Sequence, residues 1–352
     1  SMDEGVVSEN QKSGPQNCDV VIQHVLPHYF DYSGSFDKNI GLYVTETSNC
    51  TNTSWPERIN LMDEAWVPNS FMAKEASKNS SIFTPHYIIP HAFDLKKYQQ
   101  PYEPLQIPEI KDKFVFYYIG EASRRKNIGA VLKAFHLEFG PNEDVSIVIK
   151  AHIPGQPAAA AEGYLTEMSN KIKEGLKLYP NPRLYHSEVF IGDYLTDEQI
   201  MRLHSTCDCF VSASFGEAWG IPIFDAMAMG KTPICTDNGG PKDFIGKGGY
   251  LVECRDEPCF GASDTFGEIY VGNENWSSPS IASIMKSMRS AYEDKKTREE
   301  KSQQGIDASY KYSYSNVGEL MKQTLHGNNQ DIIPINSEIK SKHCLSKLLN
   351  EN

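Results

Sequence analysis

The stretch "SFGEAWGIPIFDAMAMGKTPICTDNGG", residues 214–240, decides how the chain reads. Glu217 and Asp225 stand eight apart, with Gly216 and Gly220 around the first acid. "GIPIFDAMAMG" reads as a helix, "KTPICTD" as a strand and "GGPKDFI" as a short helix, while "CDCFVSAS" just upstream reads as another strand. The loop Gly216-Glu217-Ala218-Trp219-Gly220 therefore joins a strand to a helix. In an open parallel sheet, ligands bind at the carboxyl ends of the strands, where such loops meet helix N-termini. Glycines there let backbone N–H groups approach an anion, and the helix dipole favours phosphate.

Glu217 falls in that loop, and Asp225 lies about one and a half turns into the helix. Carboxylates accept hydrogen bonds from vicinal hydroxyls, so the pair suits a sugar and a ribose flanking a diphosphate. The plainer alternative is a helix cap at Glu217 and a solvent-facing Asp225. The apolar neighbours of Asp225 weaken it, because a charge without a partner is costly among them. A metal site would call for closer acids or an accompanying His, so none is expected.

A second strand, turn and helix, "YYIGEASRRKNIGAVLKAF" (117–135), sets Arg124, Arg125 and Lys126 just before the helix. Cations at a helix N-terminus oppose its dipole, and a bound diphosphate would reconcile them. A solvated basic turn is the alternative. Lys150 ends the strand "VSIVIKA" (145–151) and points either into the same cleft or simply out of a strand end.

The chain has 352 residues and a formal charge of -12. The length suggests two domains. The charge argues against nonspecific nucleic-acid binding and allows at most peripheral membrane association. No apolar run reaches spanning length. The 8 cysteines show no regular framework, and no secretory signal pattern opens the sequence. Free thiols and a cytoplasmic setting are expected, with Cys254 and Cys259, either side of a loop, the one pair placed to bridge. The Asn-X-Ser/Thr patterns at Asn49, Asn52 and Asn79 are expected to stay unmodified.

Residues 1–16 read as a disordered leader. Strand-like runs at 19–24, 40–46, 64–68 and 86–90 alternate with helix-capable stretches such as "NSFMAKEASK", capped by Asn69. Four strands are few for a doubly wound domain, so residues 17–108 read as an incomplete Rossmann-like domain. The proline-containing segment 98–112 reads as a linker. Residues 109–310 carry six strands in alternation with helices, a complete doubly wound sheet. A loop-rich region spans 254–280, the helix "IASIMKSMRSAYEDKK" follows, and 311–352 read as a last helix and polar tail.

These features together resemble retaining GT-B glycosyltransferases, glycosyltransferase family 4. "FGEAWGIPIFDAMAMG" resembles that family's signature of two acids separated by seven residues. "GEASRRKN" resembles its phosphate turn and "SIVIKA" its Lys-bearing strand. "LTDEQIMRLHSTCDCFVSAS", "TDNGGPKDFI", "GGYLVE" and "NWSSPSIASIMKSMRSAYED" follow in register over 114–295. The resemblance implies an α/β fold of GT-B type, two Rossmann-like domains facing across a cleft, the N-terminal one shortened or truncated. It gives Glu217 the donor sugar hydroxyls, Asp225 the ribose and Lys126 the diphosphate. Gly216, Ala218, Trp219, Gly220 and Lys150 join the donor set, and backbone around Phe190 to Asp193 meets the base. Glu121 stands where the family has an arginine, so Arg124 or Arg125 is expected to supply that charge. Asp225 replaces the usual Glu and is one methylene shorter. "DVVIQHVLPHYF" resembles the strand whose final His, here His24, lies near the reacting sugar; the alternative is a polar residue closing a strand.

The expected activity is hexosyl transfer from a nucleoside diphosphate sugar to a hydroxyl of a glycan or lipid-linked acceptor in polysaccharide biosynthesis. Configuration would be retained, with no cofactor and no obligatory metal, and His24, Glu217 and Lys126 would form the catalytic set. The alternatives are a nucleotide-sugar-binding module without turnover and a sugar-nucleotide epimerase or phosphorylase on the same fold.

Overall fold

A computed structural model describes residues 18–48, 50, 53–262 and 269–327. The leader 1–16, the tail beyond Gly327, Cys344 and the asparagines of the first two glycosylation patterns lie outside them.

The N-terminal half is a parallel sheet with helices on it. Its elements are β1 (Val20–His24), β2 (Lys38–Leu42), α1 (Trp55–Ile59), β3 (Glu64–Val67), α2 (Ser70–Lys78) and β4 (His86–Ile88), and the strands lie in the order β1-β2-β3-β4. Asn69 caps α2 by accepting the Met72 N–H at 2.9 Å. Phe30, Trp55, Met62 and Met72 close the core beneath.

The C-terminal half opens with β5 (Phe114–Glu121), α3 (Ile128–Glu138), β6 (Val145–His152), α4 (Ala158–Leu176) and β7 (Glu188–Ile191). It continues with α5 (Asp197–Thr206), β8 (Cys209–Ser212), α6 (Ile221–Ala228), β9 (Ile234–Thr236), α7 (Gly239–Ile245) and β10 (Tyr250–Val252). A capping box starts α5: Thr196 accepts from the Gln199 N–H, and the Gln199 side chain accepts from the Thr196 N–H. All six strands are parallel, in the order β10-β9-β8-β5-β6-β7. The chain runs outward from β5 through β6 and β7, then returns to place β8 on the other side of β5. The order therefore reverses between β5 and β8, and the crevice above their carboxyl ends is where such a sheet takes a ligand. Cys207 and Cys209, both buried, flank and open β8 as small apolar side chains.

Residues 254–280 are not simply loop. β11 (Cys254–Pro258) and β12 (Asn275–Pro279) form an antiparallel pair. Cys254 opens β11 and Cys259 follows its end, so an extended strand separates the two thiols and both are free. The helix read across Ile281 to Lys296 is two helices, α8 (Ile281–Glu293) and α9 (Lys295–Ser309). Asp294 ends the first and caps the second by accepting the Thr297 N–H at 2.9 Å. Before β7, Pro182–Leu184 form a 3-10 turn, so the strand is short.

The last helix, α10 (Tyr314–Leu325), packs on the first sheet, where Val317 joins Ile40, Trp66 and Ile89. The Phe93 N–H donates to the Tyr312 carbonyl at 2.8 Å just before it. Contacts also tie the halves across the crevice. The Ser70 hydroxyl donates to Asp243 at 2.6 Å, Asn69 Nδ2 to the Ala218 carbonyl at 2.5 Å, and the Ser48 N–H to the Asn275 carbonyl at 2.9 Å.

Candidate active site

The loop after β8 and the turn after β5 meet at the crevice. Lys126 Nζ donates to Glu217 Oε1 at 2.6 Å, and Arg125 Nη1 lies 3.5 Å from Glu217 Oε2 while donating to the Gly216 carbonyl at 2.7 Å. Burial would raise the Glu217 carboxyl, but Lys126 and Arg125 outweigh it and hold it below its ordinary value. Burial likewise works against charge on Arg125, and Glu46 and Glu217 more than offset it. The three charges are neighbours from two separate strand ends, as a site at a switch point requires.

Glycines shape this loop. Gly220 takes a φ of 83° to open α6, a conformation an L side chain resists. A Cβ on Gly216 would run into the Glu46 carbonyl, so the glycine lets the loop after β2 come this close. The Gly240 N–H, at the start of α7, donates to the Glu217 carbonyl at 3.1 Å and fixes the loop from beneath.

Arg124 and Arg125 part company. Arg125 is in the site. Arg124 is exposed, sits over the Phe215 ring with 5.3 Å to its centroid, and rims a groove of about 860 Å³ between α3, α4 and β12 on the outer face. That groove is roomy but lies away from Glu217. Beneath Glu217 a void of about 10 Å³, lined by Ser212, Ser214, Thr236 and Asn238, has the size of one water.

Asp225 has partners of its own, apart from those of Glu217. It is buried at the fifth position of α6, where Tyr98 donates to its Oδ1 at 2.6 Å and Lys97 Nζ lies 3.9 Å from its Oδ2. Burial raises its carboxyl above the ordinary value against the pull of Lys97 and Tyr98. Lys150, at the end of β6, has a buried side chain and makes no ion pair among the described residues; burial lowers its ammonium, and Asp193 opposes that. Ala218 and Trp219 are buried in the loop, Ala218 through its carbonyl to Asn69.

His24 is exposed at the end of β1, with 6.3 Å between its ring centroid and that of His91. His91 in turn meets Trp219 edge-on at 5.5 Å. Burial, then the neighbouring His24, lower the proton affinity of His91. The sequence singled out neither His91 nor the Glu46, Tyr98 and Tyr270 side chains that contact the site; three come from loops and Tyr98 from a short 3-10 helix, and only the tertiary fold creates their pairing. Among the described residues, no group of three His, Cys, Asp or Glu side chains is placed to hold a metal ion. No described helix is long and apolar enough to cross a membrane.

Residues 103–258, under half of the chain, match the family described as Glycosyl transferases group 1. No curated protein matches the sequence. Solved structures do resemble the fold. An α,α-trehalose-phosphate synthase (UDP-forming) from Burkholderia xenovorans, in complex with glucose-6-phosphate, is 9% identical with a TM-score of 0.65, over 88% of this chain and 74% of that one. Sucrose-phosphate synthase from Thermosynechococcus elongatus is 13% identical with a TM-score of 0.62, over 92% of this chain and 76% of that one. HepE from Anabaena, in complex with UDP-glucose, is 14% identical with a TM-score of 0.56, over 82% and 72%. At these identities the likeness concerns the fold. Two facing α/β units with parallel sheets, the second carrying the matched segment, make this a GT-B fold with a glycosyl transferases group 1 domain at residues 103–258.

Proposed function

We propose that the chain is a retaining glycosyltransferase of family 4 type, moving a hexosyl group from a nucleoside diphosphate sugar to a hydroxyl of a glycan or lipid-linked acceptor. One observation carries the reading: Glu217 meets Lys126 and Arg125 above the switch point between β5 and β8, facing the first half of the molecule, whose Glu46 reaches Arg125. The matched family, and similar structures in complex with UDP-glucose or belonging to a UDP-forming synthase, support a nucleotide-sugar donor.

In this reading the demanding step is departure of the nucleoside diphosphate. Lys126 as a point charge and Arg125 as a fork stabilise the negative charge that develops there. Glu217 releases part of its hold on them and accepts hydrogen bonds from the donor sugar's hydroxyls. His24, arriving from the other half, flanks the reacting carbon, and closure of the halves excludes water that would hydrolyse the donor. The two cations supply the positive charge, so the reading requires no metal. The chain acts in the cytoplasm, where nucleotide sugars are available, and docks on membranes at most peripherally.

A binding module without turnover has one observation in its favour: the Asp225 carboxylate is already engaged by Tyr98 and Lys97. Nucleoside diphosphate release from UDP, GDP and ADP sugars, assayed with and without glycan acceptors, separates the two readings. Release stimulated by an acceptor, with the anomeric configuration of the product retained by NMR, supports transfer. Binding with no release from any donor would favour the module.

A further inference from the structure

The Arg125 guanidinium serves two carboxylates from opposite halves of the molecule. Glu217 approaches Nη1, and Glu46, on the loop after β2, lies 3.5 Å from Nη2. The other oxygen of Glu46 accepts the Tyr270 hydroxyl at 2.6 Å. The loop is anchored at Glu46 and just after it: the Glu46 carbonyl faces Gly216, Thr47 donates to Glu274 at 2.9 Å, and the Ser48 N–H donates to the Asn275 carbonyl. The Glu46 carboxylate is thus delivered to Arg125 by a fixed backbone, and its side chain is held there by Tyr270 and Arg125.

The charges balance. Arg125 and Lys126 carry two positive charges; Glu46 and Glu217 carry two negative ones. A diphosphate entering this half-buried cluster adds negative charge beyond what Arg125 and Lys126 can neutralise while Glu46 and Glu217 stay with them, and uncompensated charge is costly there. Glu217 shares its half of the molecule with both cations and stays with them. Glu46 is the anion that can leave, because rotation of one side chain frees the fork of Arg125 for a phosphate, which it fits as well as it fits a carboxylate.

Resting on the donor reading above, we infer that Glu46 occupies the diphosphate position on Arg125 when the donor is absent, and that the donor must displace it. Glu46 is then a further residue of the donor site, contributed by the opposite half, and Tyr270 is its holder. Its displacement couples donor entry to the contact between the halves.

Calorimetric titration with inorganic pyrophosphate and with UDP, GDP and ADP tests this on the wild-type chain, Glu46→Gln and Glu46→Asp. Glu46→Gln keeps the side chain's size and an acceptor for Tyr270 but removes the competing charge. It is expected to bind pyrophosphate and the preferred nucleotide more tightly, by about fivefold, the worth of one partly screened ion pair. Glu46→Asp keeps the charge and is expected to stay near the wild type. Unchanged or weaker binding by Glu46→Gln overturns the inference, since Glu46 would then orient Arg125 for the phosphate. Wild-type binding without that gain overturns the inference alone; no binding by either protein overturns the donor reading with it.

Discussion

The Tyr98 hydroxyl donates to Asp225 Oδ1 at 2.6 Å, tying the segment between the two sheets to the second acid of the signature helix. Asp225 is buried, so this bond and the more distant Lys97 are what make its charge tolerable. Tyr98→Phe removes the hydroxyl alone. The expected loss is ~1.5–3 kcal/mol in chemical unfolding, the range for hydrogen bonds to charged groups. An unchanged midpoint and slope would show that Asp225 does not depend on the linker.

Gly216 is predicted to be intolerant for a steric reason. Gly216→Ala places a methyl group against the Glu46 carbonyl, and the backbones must separate. A loss of about 1–3 kcal/mol is expected in thermal unfolding. Gly34→Ala, where nothing lies within 4 Å of the added carbon, serves as the control and is expected to be nearly neutral.

Acid stability has a defined contributor at the far end of the second sheet. Glu188 Oε1 accepts from His136 at 2.6 Å and from Ser169, and its Oε2 accepts from Lys173 at 2.7 Å. Burial would raise its carboxyl, but the His136, Lys173 and Ser169 bonds bring it down to about 2 from an ordinary 4.5. A folded value below the unfolded one gives stability that is present above pH 4.5 and lost as the pH falls toward 2. The contribution is on the order of 3 kcal/mol. Glu188→Gln is expected to be less stable at neutral pH and to show a shallower fall between those values, read by urea unfolding across the range.

Much of the fold was legible because its strands are apolar runs bounded by glycine or polar turns. β5 and β6 sit in the middle of a sheet, buried on both faces, and "FVFYYIG" and "VSIVIKA" say so. β11 and β12 escaped because "CRDEP" and "NWSSP" are mostly polar, short and form a two-stranded pair outside the main sheets. α9 escaped because it is charged on nearly every side, with only Gly305 and Ser309 buried, so no apolar stripe marks it. In the site, Glu217, Lys126 and an arginine were legible from strand–loop–helix patterns. Which arginine was not: Arg124 and Arg125 are sequence neighbours, and only the direction of the turn sends one inward. Glu46 and Tyr98 carry no local signal, since their partners lie 79 residues or more away; Tyr98 and Asp225, for instance, are 127 apart in sequence.

Lys126 is the side chain on which the proposed leaving-group chemistry depends most. Lys126→Ala leaves Glu217 with Arg125 as its remaining cation. Turnover is expected to fall by about 10²–10³, the effect of losing one preorganised charge-stabilising donor. Circular dichroism of the variant establishes that the fold is retained.

The central claim is that a nucleoside diphosphate sugar binds where Glu217 meets Lys126 and Arg125. Calorimetric titration of UDP, GDP and ADP sugars into the wild-type chain, Glu217→Gln and Lys126→Ala tests it most directly. The account predicts selective saturable binding of one nucleotide class by the wild type, weakened at least tenfold in Lys126→Ala by loss of a charge-assisted contact. Wild-type binding that Lys126→Ala and Glu217→Gln leave unchanged, or no binding of any donor, would contradict it.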